Sequence, residues 1–244
     1  MSVDVKLKNA PLQEVVFEIN WQPQYGDFGN EFDLGFDLAQ GKFAELIREF
    51  FPVHKRLNTM QQLPEFGQPV HQYWTDDGTW PVVHHGPGIL TIHQVEQNYI
   101  WKDFRKLIDR IIKQLTRSYD ASISYNKLNL LYMDAFDDLE AGFLNFLEDN
   151  LQTKISNGYD MPGTLDQMSL TRSYVQESNI VLTHEFFTAV NSKTSQKAIL
   201  MNISAEKELQ KNDEPDKVIE ELHDICSASF KKILNKTYYD SLNQ

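Results

Sequence analysis

From Leu12 to Trp21 the chain alternates. Val15, Phe17, Ile19 and Trp21 fall on one parity, and Glu18 and Asn20 lie on the other with Leu12 and Val16. Successive side chains on a strand point to opposite faces, so this pattern predicts a half-buried strand over 10–21. The stretch QPQYGDFGNEFDLGFD, with three glycines, reads as a loop. LAQGKFAELIREFFP then brings Phe43, Leu46, Ile47, Phe50 and Phe51 round at helical spacing, and Pro52 closes that helix. The polar residues up to Pro69 have no period and predict a further loop.

VHQYWTD and WPVVHH follow, two aromatic and β-branched segments joined through DGT, and Asp-Gly between such segments predicts a hairpin. GILTIHQV is a third strand, entered through the Gly86-Pro87-Gly88 turn. NYIWKDFRKLIDRIIKQLTRSY carries Phe104, Leu107, Ile108, Ile111, Ile112 and Leu115 on one face of a helix, with Asn98 placed as its N-cap. SISYNKLNLLYMDAF is a strand. Strand, helix, two or three strands, helix, strand is the element order of a split βαβ, ferredoxin-like unit.

The second half predicts a short helix at FLNFLEDNL and three strands at TLDQMSLTRSYVQ, NIVLTHEFFTAV and KAILMNISAEKE. A long final helix starts near Pro215, with Val218, Leu222, Ile225, Cys226, Ile233 and Leu234 on its apolar side. The expectation is an α+β protein with antiparallel sheet or sheets covered by helices. Its first half is ferredoxin-like in element order, and its second is a β-meander followed by a long C-terminal helix. It is expected to form a single α+β domain over 1–244, with sub-units at 7–136 and 137–244.

At 244 residues the chain can bury a real core, and 41% apolar with 24% charged residues is ordinary for a soluble protein. No apolar run approaches membrane-spanning length, and the first residues lack the apolar core of a secretory signal. One cysteine, Cys226, excludes an intramolecular disulfide and a cysteine-built zinc cage. A cytoplasmic protein without a membrane partner is therefore expected. The formal charge of −12 argues against nucleic acid, which needs a concentrated basic surface. Lys102, Arg105, Lys106, Arg110, Lys113 and Arg117 do cluster, but Asp103 and Asp109 interleave with them, so a solvated helix face is the plainer reading.

Three of the seven histidines, His84, His85 and His93, surround the Gly-Pro-Gly turn. Adjacent strand residues face opposite ways, so His84 and His85 cannot both serve one metal. The candidate metal set is His71, His84 and His93, which depends on register and stands against hydrogen-bonded sheet histidines beside a tight turn. HGPG is a poor phosphate loop, because a strand follows it and the proline removes a donor. The acidic residues Asp134, Asp137, Asp138 and Glu140 fit no calcium loop and read as N-terminal capping of the following helix. Cys226 reads as a buried, unreactive thiol, and His184 and Glu185 split between the faces of their strand. Of the aromatic residues Tyr73, Trp74, Trp80, Tyr99, Trp101 and Phe104, most are expected in the core. Trp74, Trp80, Tyr99 and Trp101 are the interface candidates.

As an ordered set, LKNAPLQEVVFEINW, GPGILTIHQ, YIWKDFRKLI and KLNLLYMDAF resemble a sporadically distributed, functionally uncharacterised family of bacterial proteins of similar length. In that family an APL-EVVFEI strand, a GPG-LTIN turn and strand, and a W-DFR helix recur in this order. The likeness covers most of 7–136. It implies a bacterial protein and hints at a defence or toxin–antitoxin setting, and it carries over no catalytic residue. His93 stands where the pattern has a small polar residue such as Asn, which speaks against a shared histidine site.

With no nucleophile elbow, metal cage or cofactor loop in sight, the leading expectation is a non-enzymatic binding protein, self-associating as a homodimer and open to another protein partner, with no cofactor. The alternative is an enzyme or sensor with a small-ligand or metal pocket at the 71–93 histidines.

Overall fold

The computed structural model describes residues 7–57, 65–95, 99–119, 123–137, 139, 142–155, 167–191 and 194–243. The elements in chain order are β1 (Leu12–Trp21), β2 (Gln24–Tyr25), β3 (Glu31–Phe32), α1 (Phe36–Ile47), β4 (Val53–Arg56), β5 (His71–Asp76), β6 (Thr79–Gly86) and β7 (Ile89–Gln94). Then come α2 (Trp101–Ser118), β8 (Tyr125–Phe136), α3 (Phe143–Asn150), β9 (Ser169–Val175), β10 (Val181–Val190), β11 (Lys197–Glu208), α4 (Pro215–Ile233) and α5 (Lys236–Ser241). Nine strands hydrogen-bond in the order β4-β5-β6-β7-β1-β8-β11-β10-β9, and β2 pairs with β3 separately. The α+β class with a large antiparallel sheet is the one the patterning predicts. None of the described helices is long and apolar enough to cross a membrane. The chain divides into two compact units, residues 14–130 with 207–219, and residues 1–13 with 131–206 and 220–244, so the boundary falls inside β8.

In the first of these units the alternation of β1 buries Val15, Phe17, Ile19 and Trp21. Ile92 lies opposite Phe17 and Leu90 opposite Ile19 on the antiparallel partner β7. Helix α1 covers this face, with the Phe43 ring 5.6 Å from Tyr73 and 4.8 Å from His85. Helix α2 buries Phe104, Ile108, Ile111 and Leu115 and packs against α1. Asn98 lies outside the described residues. The N-cap position of α2 is Ile100, which makes no side-chain cap. Two segments expected to be loops contain strands, the pair β2–β3 and the edge strand β4. The latter forms because Val53 to Arg56 pair with β5, not because of any apolar pattern of their own. Helix α1 also stops at Ile47, before Phe50 and Phe51.

The two glycines flanking Pro87 have different reasons to be glycine. Gly88 adopts φ +74°, so Pro87-Gly88 supplies the residue pair a type II turn favours. A Cβ on Gly86 would lie 1.9 Å from the backbone oxygen of Gln68, because residues 65–69 cross the turn closely. Gly67 donates its N–H to Pro87 at 2.8 Å and Val70 to His85 at 3.0 Å, which fixes that crossing.

In the other unit β9, β10 and β11 form an antiparallel meander. Leu182, His184 and Phe186 of β10 and Ile199, Met201, Ile203 and Ala205 of β11 are buried. Helix α4 packs on that face: Ser229 Oγ lies 2.6 Å from His184 Nε2, and the Cys226 thiol points at the Ile203 carbonyl at 4.0 Å. Glu185, on the opposite face, accepts from Asn202 Nδ2 at 3.1 Å. Burial raises the Cys226 thiol pKa far out of the reactive range. Helix α3 has Gly142 at its N-cap position, which offers no side-chain cap, and no acidic residue in its first turn. Among the described residues of the acidic run, neither Asp134 nor Asp137 caps this helix. Asp138 and Glu140 lie outside the described residues, and Asp134 is inside β8 and buried.

Candidate functional site: a histidine relay on one sheet face

Cross-strand register decides which polar residues meet. Across β5, β6 and β7, Gln72 pairs with His84 and His84 with Thr91, while Trp74 pairs with Val82 and Val82 with His93. His93 in turn lies opposite Val16 of β1. These residues share one face, and Glu14, two residues before Val16, belongs to it as well. The other face carries His71 opposite His85 and His85 opposite Leu90, and this is the face that α1 covers.

The candidate trio is thereby divided: His84 and His93 meet, with ring centroids 4.4 Å apart, and His71 does not join them. The cause is an irregularity in the β5–β6 hairpin. Asp76 pairs with Thr79 across the Asp77-Gly78 turn, but Trp74 pairs with Val82, so Trp80 and Pro81 together oppose Thr75. Proline is tolerated at such a bulge because it has no ladder donor to lose. Continued without the bulge, the hairpin would set His71 opposite His84, whereas the extra residue sets it opposite His85.

On the site face His93 is held at both nitrogens. Glu14 Oε1 lies 2.7 Å from Nδ1 and Thr91 Oγ1 lies 2.8 Å from Nε2. A carboxylate only accepts, so Nδ1 carries the proton, and in the neutral ring Nε2 accepts from the threonine hydroxyl. Beside it Gln72 Nε2 stands 3.1 Å from His84 Nε2. With the amide donating, His84 keeps its proton on Nδ1, a tautomer assigned from the network. Burial, reinforced by neighbouring His93 and opposed by Glu14, pushes the His84 pKa down to about 4. His84 is therefore neutral at physiological pH. Trp80 borders the group, its ring 6.3 Å from His93 and 5.4 Å from Trp74 in an edge-to-face pair.

The remaining aromatic candidates separate by burial. Trp101 is 8% exposed and belongs to the core, as Tyr73 and Phe104 do, whereas Trp74, Trp80 and Tyr99 are half-buried. The basic residues of α2 are largely engaged: Arg105 with Asp109 and Asp216, Lys106 with Asp103 at 2.8 Å, and Arg110 over the Phe50 ring. Among the described residues, no group of three or more His, Cys, Asp or Glu is arranged to hold a metal ion.

Three features had no local signature. Asp33 accepts from Trp21 Nε1 at 2.8 Å and from Tyr119 OH at 2.7 Å. It also accepts from the backbone N–H of Gly88 at 3.3 Å and of Gly35 at 3.1 Å. The carboxylate ties β1, the β6–β7 turn and the end of α2 together. His85 is fully buried among Trp21, Phe36 and Phe43, and neither ring nitrogen has a partner among the described residues. Asp134 is 3% exposed with one carboxyl oxygen unpartnered among the described residues, and burial lifts its pKa to about 8.

No protein-family model matches this chain, and no curated protein is similar to it.

Proposed function

We propose that this chain is a binding protein that receives its ligand or protein partner on the face of β5, β6, β7 and β1 opposite α1, and that it associates with itself. The observation that carries the reading is the convergence on that face of Trp74, Trp80, His84, His93 and Glu14, a half-buried set that joins aromatic surface to oriented polar groups. Aromatic anchors beside a few oriented polar groups are how recognition surfaces are built. Self-association is supported by the edge strand β9, where Tyr174 and Val175 are 43% and 75% exposed and Arg172 is the one charged residue.

Native mass spectrometry of the freshly purified chain tests this. A retained small molecule or a multiple of the 28.4 kDa chain is expected. Trp80→Ala should release the small molecule, and Tyr174→Lys should dissociate the multimer. A bare monomer throughout would refute the proposal.

A second reading, an enzyme with a small-ligand pocket, has its own support in the relay from Glu14 through His93 to Thr91.

A further inference from the structure

We propose that Thr91, His93 and Glu14 form an acyl-transfer site, with Thr91 Oγ1 as the nucleophile toward small, uncharged esters. The proposal rests on the enzyme reading of this face.

A threonine hydroxyl is a weak nucleophile unless a base takes its proton as it attacks, and the base works only in the right tautomer and orientation. Both conditions are met. The 2.7 Å contact with Glu14 places the His93 proton on Nδ1, and the 2.8 Å contact aims Nε2 at Thr91 Oγ1. Backbone geometry enforces the arrangement. Thr91 and His93 are two residues apart on β7 and project to the same side, while Glu14 reaches His93 diagonally from β1. Carboxylate, imidazole and hydroxyl in this sequence are recognised by geometry and roles rather than by fold.

Charge that develops on the substrate carbonyl oxygen needs donors. β7 lies between β6 and β1, so its own amide groups serve the two ladders and the donors must come from side chains. His84 is directly opposite Thr91 and, with Nε2 accepting from Gln72, offers Nδ1–H as a neutral donor. The Trp74 indole N–H, buried and without a partner among the described residues, is on the same face. Trp74 and Trp80 supply apolar surface for an acyl group, and the Glu14 carboxylate disfavours an anionic substrate.

The step balances with water as the only co-reactant. Thr91 Oγ1 bonds to the carbonyl carbon as its proton passes to His93 Nε2. The ester C–O bond then breaks, and the alcohol leaves with that proton. Water, deprotonated by His93, next attacks the threonyl ester and releases a carboxylic acid and the free hydroxyl.

The test mixes the full-length chain with p-nitrophenyl acetate, follows p-nitrophenolate release in the first seconds, and maps acetylated peptides by mass spectrometry. The expected result is a burst near one equivalent per chain with the acetyl group on Thr91. It should be abolished in Thr91→Val, kept in Thr91→Ser, and slowed about 100-fold in His93→Gln. Glu14→Gln should slow the burst while leaving acetylation on the same residue. Absence of acetyl on Thr91 in the unaltered chain, or acetylation of other residues that persists in Thr91→Val, overturns the proposal. Ligand retention that still depends on Trp80 would, in that event, leave the binding reading standing.

Discussion

Replacing His85 by leucine should make the protein less sensitive to acid without weakening it at neutral pH. His85 has no exposed surface, and neither nitrogen has a hydrogen-bond partner among the described residues. Burial, with neighbouring His71 adding to it, drives its pKa down to about 3. Its folded-state pKa is depressed relative to an unfolded value of about 6.5. The folded chain thus keeps the ring neutral while the unfolded chain takes up a proton as pH falls. Stability from this group is complete above about pH 6.5 and declines by about 1.4 kcal/mol per pH unit below it, until the folded pKa is reached. At pH 5 the loss is about 2 kcal/mol. At neutral pH the ring still buries an unsatisfied N–H, which costs about 1–3 kcal/mol and offsets the aromatic packing that the imidazole provides. Urea unfolding at pH 7 and pH 5 measures both effects. The unaltered chain should lose about 2 kcal/mol more than His85→Leu over that interval, a difference of about 4–8 °C in Tm. His71 also titrates with a pKa pushed down to about 4, so some acid sensitivity remains in the variant and only the difference is diagnostic. Equal losses in the two proteins would refute the reasoning and imply a compensated His85.

Asp134→Asn carries the opposite sign. The raised pKa of about 8 means that stability is complete below about pH 4 and is lost as pH rises through 8, so the variant should gain about 3–4 kcal/mol at pH 7 and little at pH 4, read by urea titration at both. Gly86→Ala should cost about 3 kcal/mol, because the new methyl meets the Gln68 carbonyl backbone rather than a side chain that can swing away; an unchanged melting temperature would contradict the close crossing at the turn. Asp33→Ala strands the Trp21 indole N–H and the Tyr119 hydroxyl, and should cost about 3 kcal/mol in chemical denaturation, with Tyr119→Phe in the same background adding almost nothing.

Residue patterning alone determined much of the fold. The alternation of 12–21, the Asp77-Gly78 hairpin, the apolar stripe of α2, the three strands of the meander and the start of the last helix at Pro215 are all local patterns, and each is present. Period-two geometry likewise settles that His84 and His85 face opposite ways and that His184 and Glu185 do too. Strand β4 was not legible, because four polar residues become a strand only when a neighbour supplies hydrogen bonds. Nor was Asp33, whose donors come from positions 12 and 86 residues away as well as from the adjacent turn.

The histidines show where local patterning ends. Alternation assigns a side chain to a face of its own strand, but not to a partner on the next strand. The Trp80-Pro81 bulge shifts the β5–β6 register by one residue, moving His71 from the face of His84 to that of His85. The same registers bring Glu14 and Thr91, which were not among the candidate site residues, to the two nitrogens of His93. Face is a property of one strand and can be read from its residues. Which residues meet is a property of pairing, and only the folded sheet decides it.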